Sequence, residues 1–278
     1  MITLAMALRK AHDRLRSSSD TPSLDAEVLL ADVLHVSRSH LFAFPERVLT
    51  RDEMHAYENR IRQRAQRVPV AYLTNHQEFW SLDFLVTRDT LIPRPETELL
   101  VQLALKENHG EKKTVADIGT GSGAIALAIA HECPLWEVHA TDISEKALAV
   151  ARSNAKRLGL SSVFFHEGDW LLALPPDLKF DVIVSNPPYL AEDDPHLHTG
   201  ELHYEPRSAL VSGENGLKAI REVATGARHY LKSGGRVWLE HGCEQAKEIR
   251  SIFENLGYSE IESHQDMAGL DRVTGGRL

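Results

Sequence analysis

The stretch from Phe180 to Tyr189 constrains the fold of this chain more than any other. It contains an apolar, β-branched run at Val182–Val184, which is typical of a strand buried on both faces of a parallel sheet. The following Asn186-Pro187-Pro188-Tyr189 must end that strand, because neither proline can donate to a β-ladder. A residue that precedes proline is also kept out of the α region, so both carbonyls before the prolines have set directions.

This strand end predicts a site for a planar amino group. Open α/β sheets bind their ligands at the carboxyl ends of their strands. The Asn186 side-chain oxygen and the Pro187 carbonyl form a row of two acceptors beside the aromatic face of Tyr189. Both N–H bonds of an NH2 group fit such a row. The alternative is an ordinary Asn-Pro turn that closes a strand, and the upstream sequence favours the binding site.

Apolar strand patterns alternate with amphipathic helices throughout the later part of the chain. Strands are predicted at 114–118, 137–142, 163–167, 180–185, 235–240, 259–263 and 272–276. Helices are predicted at about 95–108, 123–133, 144–158, 216–230 and 245–256, with a polar insertion at 190–215. This alternation predicts an α/β fold with a doubly wound, mostly parallel seven-stranded sheet.

The first part of the chain has a different pattern. Short amphipathic helices with polar connections are predicted at about 2–16, 24–35, 37–44 and 50–67. Thr50 and Glu53 form the sequence signature of a capping box at the last of them. A small all-α bundle is therefore expected, followed by a β-hairpin near 78–86. The predicted domains are a helical domain at 1–76, a hairpin linker at 77–92 and the sheet domain at 93–278.

A glycine-rich turn, Gly119-Thr120-Gly121-Ser122-Gly123, joins the first strand of the sheet to its helix. Its G-x-G-x-G spacing differs from the dinucleotide fingerprint, the P-loop and the nucleophile elbow. Asp142 ends the second strand, where a carboxylate can accept from both hydroxyls of a ribose. After the third strand, Asp169 can accept from an adenine amino group and Trp170 can lie along the base. These positions together favour a nucleoside-containing ligand over a plain tight turn.

The charge distribution limits the partners. Net charge is −9, and residues 1–78 carry 11 basic and 10 acidic side chains against 20 and 30 in the rest. An acidic sheet domain argues against a nonspecific grip on nucleic acid. The two cysteines show no paired spacing, and no apolar run approaches the roughly 20 residues of a membrane span. With charged residues at 9–14 in place of an export signal, we expect a reduced, cytoplasmic protein without a membrane anchor.

Taken together, these motifs resemble the class I S-adenosylmethionine-dependent methyltransferases, and more closely the protein-(glutamine-N5) methyltransferases of peptide chain release factors. The resemblance covers nearly the whole chain: the helical domain, Phe79–Leu82, Ile92–Glu98, Asp117–Gly123, Asn186–Tyr189, Glu205-Pro206 and Ala209-Leu210. Other amino-group methyltransferases share Asn-Pro-Pro-Tyr, but its combination with Ile92–Glu98 and this helical domain is more specific. Asn75 departs from the family, which usually has glycine there, and bears on hinge geometry rather than chemistry.

The resemblance implies a Rossmann-like fold and methyl transfer from S-adenosylmethionine to the glutamine side chain of the Gly-Gly-Gln loop in release factors. It implies Asn186, Pro187 and Tyr189 as catalytic residues. Implied cofactor-binding residues are Asp117, Gly119, Thr120, Gly121, Ser122, Gly123, Asp142, Asp169, Trp170 and Asn186. Implied substrate-binding residues are Asn186, Pro187, Pro188, Tyr189, Arg94 and Glu205. We expect a monomer without metal whose helical domain recognises the protein substrate.

The amide chemistry agrees with this acceptor row. An amide nitrogen is a poor nucleophile because its lone pair is delocalised. Two acceptors, Asn186 and Pro187, fix the NH2 group, favour the loss of a proton and direct the nitrogen toward the sulfonium methyl.

Two other functions fit parts of the sequence. An N6-adenine methyltransferase of DNA or RNA would use the same acceptors, but the acidic sheet domain and the lack of a long basic recognition domain argue against it. A noncatalytic adaptor that only binds the cofactor would not need an intact Asn186–Tyr189 stretch.

Two polar clusters have alternative interpretations. One contains His196, His198 and His203 near Asp193 and Asp194, and we expect a substrate-side loop there rather than a metal site. The other contains Arg60, Arg62, Arg64 and Arg67, and we expect a solvated helix end rather than a partner-contact face.

Overall fold

The computed structural model describes residues 1–107, 110–198 and 200–278, which form two compact units. The first unit contains Met1–His76 and His198–Tyr204, and the second contains Gln77–Leu197 and Glu205–Leu278. The hairpin, apart from its first residue His76, lies in the second unit, and the predicted division into three domains stays a prediction. Within the described residues, no helix combines the length and the hydropathy that a membrane crossing requires.

The first unit is helical. Its helices are α1 (Leu4–Leu15), α2 (Pro22–Leu34), α3 (Arg38–Ala43), α4 (Arg51–Ala65) and α5 (Val70–Thr74). The capping box of Thr50 and Glu53 is present at the start of α4 as predicted. Helix α5 was not predicted, because five residues are too few to show a helical period. Asn75 ends it in the left-handed region at φ 59°, which glycine prefers and asparagine tolerates, so the substitution keeps the required turn.

A buried ion pair lies inside the helical unit. Arg64 is 5% exposed, and its Nε donates to Asp25 Oδ2 at 2.6 Å. Its Nη1 lies 2.6 Å from Glu201 in the 198–204 segment, and Tyr204 of the same segment donates its hydroxyl to the Gln66 carbonyl at 2.6 Å. The predicted solvated position is therefore wrong for Arg64, because two carboxylates of this unit enclose its guanidinium.

The second unit begins with a hairpin and continues as alternating helices and strands. The hairpin strands are β1 (His76–Phe79) and β2 (Leu82–Leu85). The following elements are α6 (Glu98–Lys106), β3 (Thr114–Ile118), α7 (Ala124–Glu132), β4 (Glu137–Asp142), α8 (Glu145–Leu158), β5 (Val163–Glu167), β6 (Phe180–Ser185), α9 (Lys218–Tyr230), β7 (Leu231–Glu240), α10 (Ala246–Asn255), β8 (Ser259–Gln265) and β9 (Asp271–Arg277). Short 3-10 turns occur at Pro95–Thr97, Trp170–Ala173, Pro195–His198, Leu202–Tyr204 and Arg207–Ala209, of which Leu202–Tyr204 belongs to the first unit. The predicted helix end at Asn108 lies outside the described residues.

The seven-stranded sheet has the order β5-β4-β3-β6-β7-β9-β8. Its first five strands pair in parallel, and β9 pairs antiparallel with β7 and β8. The predicted doubly wound, mostly parallel sheet is confirmed. The chain places β4 and β5 on one side of β3 and places β6 and β7 on the other. A crevice therefore opens where β3 meets β6, at the carboxyl ends of both strands.

Strand β6 lies at the centre of two hydrophobic layers. Val182 and Val184 pack with apolar residues of α6 and α7 on one face of the sheet. Ile183 points to the other face and packs with α9 and α10. All three side chains have no solvent exposure, as the continuous β-branched run predicts. This burial fixes the position of Asn186–Tyr189, which follows the last residue of β6.

Candidate active site

A pocket of about 800 Å³ lies at the carboxyl ends of β3, β4 and β6. Its lining includes nine of the predicted site residues: Gly119, Thr120, Gly121, Ser122, Asp142, Asp169, Trp170, Asn186 and Pro188. Thr97, Thr141, Lys218 and Glu222 also line it. Six other predicted residues lie outside the described lining: Asp117, Gly123, Pro187, Tyr189, Arg94 and Glu205. The sequence therefore identified a large share of the residues that line the pocket, while the other six predicted residues are not among the described lining residues.

The glycine-rich turn depends on conformations that other residues rarely adopt. Gly119 has φ +75°, and a Cβ there would lie 3.3 Å from the Trp170 ring. Gly123 has φ +85°, and a Cβ there would lie 3.0 Å from Leu127 and 3.1 Å from the Ala151 Cβ. The first glycine lets the turn approach the indole, and the second lets helix α7 pack against α8.

Asp117 supports this turn from beneath. Its carboxylate is fully buried and accepts hydrogen bonds from the Thr120 hydroxyl at 2.6 Å and the Ala126 N–H at 3.1 Å. Burial raises the pKa of Asp117 to about 7, although those two bonds act in the opposite direction. This geometry gives Asp117 a role in the shape of the turn, and its direct contact with a cofactor stays a prediction.

Asp142 connects the turn to the pocket. Its Oδ2 accepts from the Gly121 N–H at 2.9 Å, and its Oδ1 accepts from the Ser144 N–H at 2.9 Å. Burial raises the pKa of Asp142, while these backbone bonds lower it. The Ile143 N–H also bonds this carboxylate, so of its about four lone-pair sites one remains for a hydroxyl of a ribose.

The same wall contains an indole in a fixed position. Trp170 begins a 3-10 turn at φ 46°, and its Nε1 donates to Glu222 Oε2 of α9 at 3.1 Å. Asp169 lies beside it in the pocket lining. A flat apolar surface beside a carboxylate suits a base with an exocyclic amino group, and the contacts of Asp169 and Trp170 with such a base stay a prediction.

The acceptor end contains a hydrogen bond that the sequence did not predict. Asn186 donates from Nδ2 to the Thr97 hydroxyl oxygen at 3.1 Å. Thr97 is buried and belongs to the 3-10 turn before α6. This bond engages one of the two N–H groups of the amide and holds Nδ2 toward Thr97, so Oδ1 is the acceptor that the side chain offers elsewhere.

Tyr189 is held on several sides. Its hydroxyl donates to Glu240 Oε1 at 3.3 Å, and its carbonyl accepts from Gln245 Nε2 at 3.0 Å. A Cβ on Gly216 would lie 2.2 Å from that carbonyl, so only glycine fits there. Burial raises the pKa of Tyr189 and also raises the pKa of Glu240, to about 7. The catalytic role of Tyr189 stays a prediction.

Arg94 and Glu205 form an ion pair with each other. The Glu205 side chain has no solvent exposure, and its second oxygen accepts from the Ile92 N–H at 3.0 Å. Both carboxylate oxygens are thus engaged within the protein. This pair joins the segment before α6 to the insertion after β6, and its contact with substrate stays a prediction.

Asn154 is another residue that sequence reasoning missed. It is fully buried, and its amide bonds both polar backbone atoms of Leu85 and donates to the Ser122 carbonyl at 2.9 Å. It thereby ties β2 to the glycine-rich turn. An asparagine on the apolar face of the predicted helix 144–158 was the available signal. For Glu240, the signal was an acid that ends a buried strand.

The histidine-rich part of the insertion shows a local polar pair. His196 Nδ1 lies 2.7 Å from Asp194 Oδ1, and the His196 side chain is exposed. Across residues 1–107, 110–198 and 200–278, no group of three or more His, Cys, Asp or Glu side chains is arranged to hold a metal ion.

Comparisons with known proteins agree with this geometry. A family model described as PrmC N-terminal domain matches residues 6–74, and one described as methyltransferase domain matches residues 109–272. The release factor glutamine methyltransferase of Vibrio cholerae serotype O1 is 45% identical over 277 residues, covering 99% of this chain and 97% of that protein. This chain belongs to that family. The release factor glutamine methyltransferase of Coxiella burnetii is 44% identical to this chain, and the match covers 98% of each protein.

A solved structure supports the fold alone. A methyltransferase from Pyrococcus furiosus superimposes with a TM-score of 0.54 at 21% identity, over 79% of this chain and 98% of that one. The class I methyltransferase fold is therefore confirmed, and S-adenosylmethionine is the cofactor that this family and fold imply.

The pocket fits that cofactor. Its wall combines a close backbone turn, the Asp142 carboxylate and the Trp170 ring. The Thr141 hydroxyl also lines it and, within the described part of the chain, is buried without a hydrogen-bond partner. A nucleoside with a ribose diol supplies polar groups that such a wall requires.

Proposed function

We propose that this protein transfers a methyl group from S-adenosylmethionine to the side-chain nitrogen (N5) of the glutamine in the Gly-Gly-Gln loop of peptide chain release factors, and so supports translation termination. The observation that carries the proposal is the oriented Asn186 amide beside the pocket, in a chain 45% identical to a release factor glutamine methyltransferase over its whole length.

The chain's residues act by orientation. Asn186 Oδ1 and the Pro187 carbonyl each accept one N–H bond of the substrate amide. With both bonds made, the nitrogen cannot rotate, and its lone pair faces the methyl group. Such positioning contributes several kcal/mol to lowering a barrier. When bound, S-adenosylmethionine supplies an electrophilic methyl group on a sulfonium. The substrate nitrogen would gain that methyl as the sulfur–methyl bond breaks and the cofactor leaves as a neutral thioether. The nitrogen would lose one proton to solvent water, since its N–H bond is weakened by the acceptor it faces.

The other wall of the pocket binds the cofactor. Asp142 accepts from a ribose hydroxyl, Asp169 accepts from the adenine amino group, and Trp170 lies along the base. The open approach to Gly121, whose Cβ position has no atom within 4 Å, leaves room for a ligand against the backbone.

We also propose that the helical unit recognises the release factor. Several of its large apolar side chains are exposed, among them Met6, Phe42 at 62% and Phe44 at 55%. Exposed apolar surface of this kind is typical of protein contacts, where aromatic side chains are enriched.

Substitution of both phenylalanines tests this recognition. Phe42→Ser with Phe44→Ser should raise KM for intact release factor by about tenfold, the effect of losing roughly 1.4 kcal/mol of contact. A short peptide with Gly-Gly-Gln should react at the parent rate. Leu135→Ser, which removes an exposed apolar side chain of the second unit, serves as the control and should change neither value. Equal losses on the peptide and the intact protein would contradict the assignment.

The proposed substrate also indicates where in the cell this protein acts. Release factors act with ribosomes in the cytoplasm, so we infer that this protein acts there. We propose that it acts as a monomer. We also propose that it acts on a protein partner without direct binding of nucleic acid, since residues 79–278 carry 20 basic and 30 acidic side chains. Sedimentation and a low-salt filter-binding assay with RNA check these two statements.

The deciding experiment supplies labelled S-adenosylmethionine to the purified protein with release factor, and in parallel with DNA and RNA. We expect one methyl group on the glutamine of the Gly-Gly-Gln loop, located by mass spectrometry of the digested factor, and none on nucleic acid. Label that enters adenine and not the release factor would favour the N6-adenine methyltransferase instead.

A further inference from the structure

Two buried residues at the acceptor end have no part in the reaction described above. Thr97 lies in the 3-10 turn that precedes α6, and Glu240 is the last residue of β7. Thr97 is 4% exposed and Glu240 is 1% exposed. Together they contact both polar side chains of the Asn-Pro-Pro-Tyr stretch: Thr97 bonds the amide of Asn186, and Glu240 accepts from the hydroxyl of Tyr189.

Glu240 is costly to bury. A carboxylate away from water requires donors, and the described residues give few of them. Oε1 accepts from Tyr189, while Oε2 meets no donor at close hydrogen-bonding geometry in the described part of the chain. The hydroxyls of Thr97 and Tyr189 lower the pKa of this carboxyl by hydrogen bonding, and the charges that act on its pKa are those of Arg272 and Glu96. Thr97 is thus the hydroxyl that, together with that of Tyr189, stabilises the ionised form of Glu240.

This arrangement gives the hydrogen bonds a direction. In its ionised form Glu240 can only accept, and the Thr97 hydroxyl then donates toward it. The lone pairs of Thr97 Oγ1 then face Asn186, where they accept from its NH2 at 3.1 Å. An Asn186 amide flipped by 180° would place oxygen against oxygen at Thr97. It would also present NH2 to the NH2 of the substrate, donor against donor.

We propose that Thr97 and Glu240 are positioning residues for methyl transfer. Glu240 sets the direction of the Thr97 hydroxyl, and Thr97 then holds the Asn186 amide with its oxygen toward the substrate nitrogen. The same carboxyl holds the Tyr189 ring by its hydroxyl. This inference rests on the proposed function and explains how one of two amide orientations is selected.

The test compares Thr97→Val, Thr97→Ser and Glu240→Gln with the parent protein. Valine keeps the shape and removes the hydroxyl, while serine keeps the hydroxyl. Glutamine keeps the size of Glu240 but offers both a donor and an acceptor, so it no longer sets a direction. Three quantities are measured: the single-turnover rate with release factor at saturating cofactor, KM for release factor, and cofactor affinity by calorimetry.

We expect Thr97→Val to react about tenfold more slowly, which corresponds to one lost hydrogen bond of roughly 1.4 kcal/mol. Thr97→Ser should return to within about threefold of the parent rate, and Glu240→Gln should fall between the two. Cofactor affinity should stay within about twofold in all three, because Asp142 and the glycine-rich turn are unchanged. A slower chemical step with unchanged cofactor binding separates positioning from a general loss of structure.

A matched control removes a buried hydroxyl elsewhere in the same unit. Thr274 of β9 has no solvent exposure and bonds His241 and Ser263. Thr274→Val should lower the melting temperature and leave the single-turnover rate unchanged.

Several results would overturn the proposal. Thr97→Val at the parent rate would do so, as would equal losses in Thr97→Val and Thr97→Ser or a parallel loss of cofactor affinity. If Thr97→Val fails to fold, Glu240→Gln decides, and its reaction at the parent rate overturns the proposal. Failure of the parent protein to methylate release factor would instead contradict the proposed function.

Discussion

The two ends of the pocket are formed by different parts of the polypeptide, backbone groups at one end and side chains at the other. The cofactor end uses backbone: the turn at Gly119–Gly123 is shaped by positive φ angles and fastened by the Gly121 N–H, which donates to Asp142. The acceptor end uses side chains from three separate segments, represented by Thr97, Asn186 and Glu240. A backbone turn has only one hydrogen-bonding direction, whereas an amide side chain has two and must be held in one of them.

This difference predicts different consequences of substitution at the two ends. Changes at the cofactor end remove binding that is equal in the ground state and the transition state, so they weaken affinity. Changes at the acceptor end misplace the reacting nitrogen, so they slow the chemical step.

The largest expected effect is that of Asn186→Ala. Loss of the side-chain acceptor frees the substrate NH2 to rotate, and misplacement of a reacting group costs about 10²-fold in rate or more. Asn186→Asp keeps an oxygen in place and should be less harmful, although its charge disturbs the site. Single-turnover methylation of release factor at saturating cofactor measures both variants.

Both Asn186 variants should remain folded and bind cofactor, because a strand-end residue contributes little to the core. A thermal melt and calorimetry serve as controls. An Asn186→Ala protein that is folded, loaded with cofactor and as fast as the parent would reduce Asn-Pro-Pro-Tyr to a strand terminator.

The acceptor end should also show a pH signature in stability. Burial raises the pKa of Glu240 from 4.5 to about 7, while Thr97, Arg272 and Tyr189 act in the opposite direction and Glu96 raises it further. The folded state therefore binds this proton more tightly than the unfolded state does. Between about pH 4.5 and about pH 7 the folded state carries more protons, so the free energy of unfolding falls as pH rises.

Glu240→Gln cannot ionise and should escape this loss. Its stability relative to the parent should increase as pH rises through that interval, by up to about 3 kcal/mol, and stay level above it. The contribution of Asp117, whose pKa is also raised to about 7, is present in both proteins and cancels. Urea unfolding at about pH 5, 6, 7 and 8 measures the difference, and a difference independent of pH would refute the assignment.

At the cofactor end, Asp142→Ala should act on affinity. Loss of a charge-assisted hydrogen bond to the ribose costs roughly 1.5–3 kcal/mol of binding free energy. The single-turnover rate at saturating cofactor should stay near the parent value. Calorimetry with S-adenosylmethionine measures the affinity, and Asp177→Ala, which removes an exposed carboxylate outside the pocket lining, should leave it unchanged. Unchanged affinity in Asp142→Ala would refute the ribose contact and break the contrast between the two ends.

The same contrast explains what the sequence could predict. Strands β3 to β6 were predicted at the bounds that the structure shows, because continuous apolar runs are local signals. The predicted strand at 235–240 is the regular part of β7, which begins at Leu231 and shifts its register with β6 before Arg236. The glycine-rich turn and Asp142 were predicted because a strand–turn–helix junction and a strand end are also local features.

The acceptor end was predicted only in part, because its hydrogen bonds join distant segments. Thr97 and Asn186 are 89 residues apart, and Tyr189 and Glu240 are 51 apart. No local pattern records which hydroxyl will meet which amide. Sequence alone also could not show that the Asp117 side chain lies beneath the glycine-rich turn and not in the pocket. A side chain at the carboxyl end of a strand can point to either face of the sheet.

The smallest expected effect is a difference of about 1 kcal/mol between two glycine substitutions, Gly123→Ala at the cofactor end and Gly269→Ala in another turn. Gly123→Ala places a Cβ at φ +85° and 3.0 Å from Leu127, whereas Gly269→Ala meets only the cost of φ +77°, because nothing lies within 4 Å of its Cβ. A left-handed alanine costs about 1–2 kcal/mol in either place. Crowding against α7 and α8 adds about 1 kcal/mol or more at Gly123 alone. Urea unfolding should therefore show the larger loss for Gly123→Ala, and equal losses would mean that the turn is not packed as tightly as its backbone suggests.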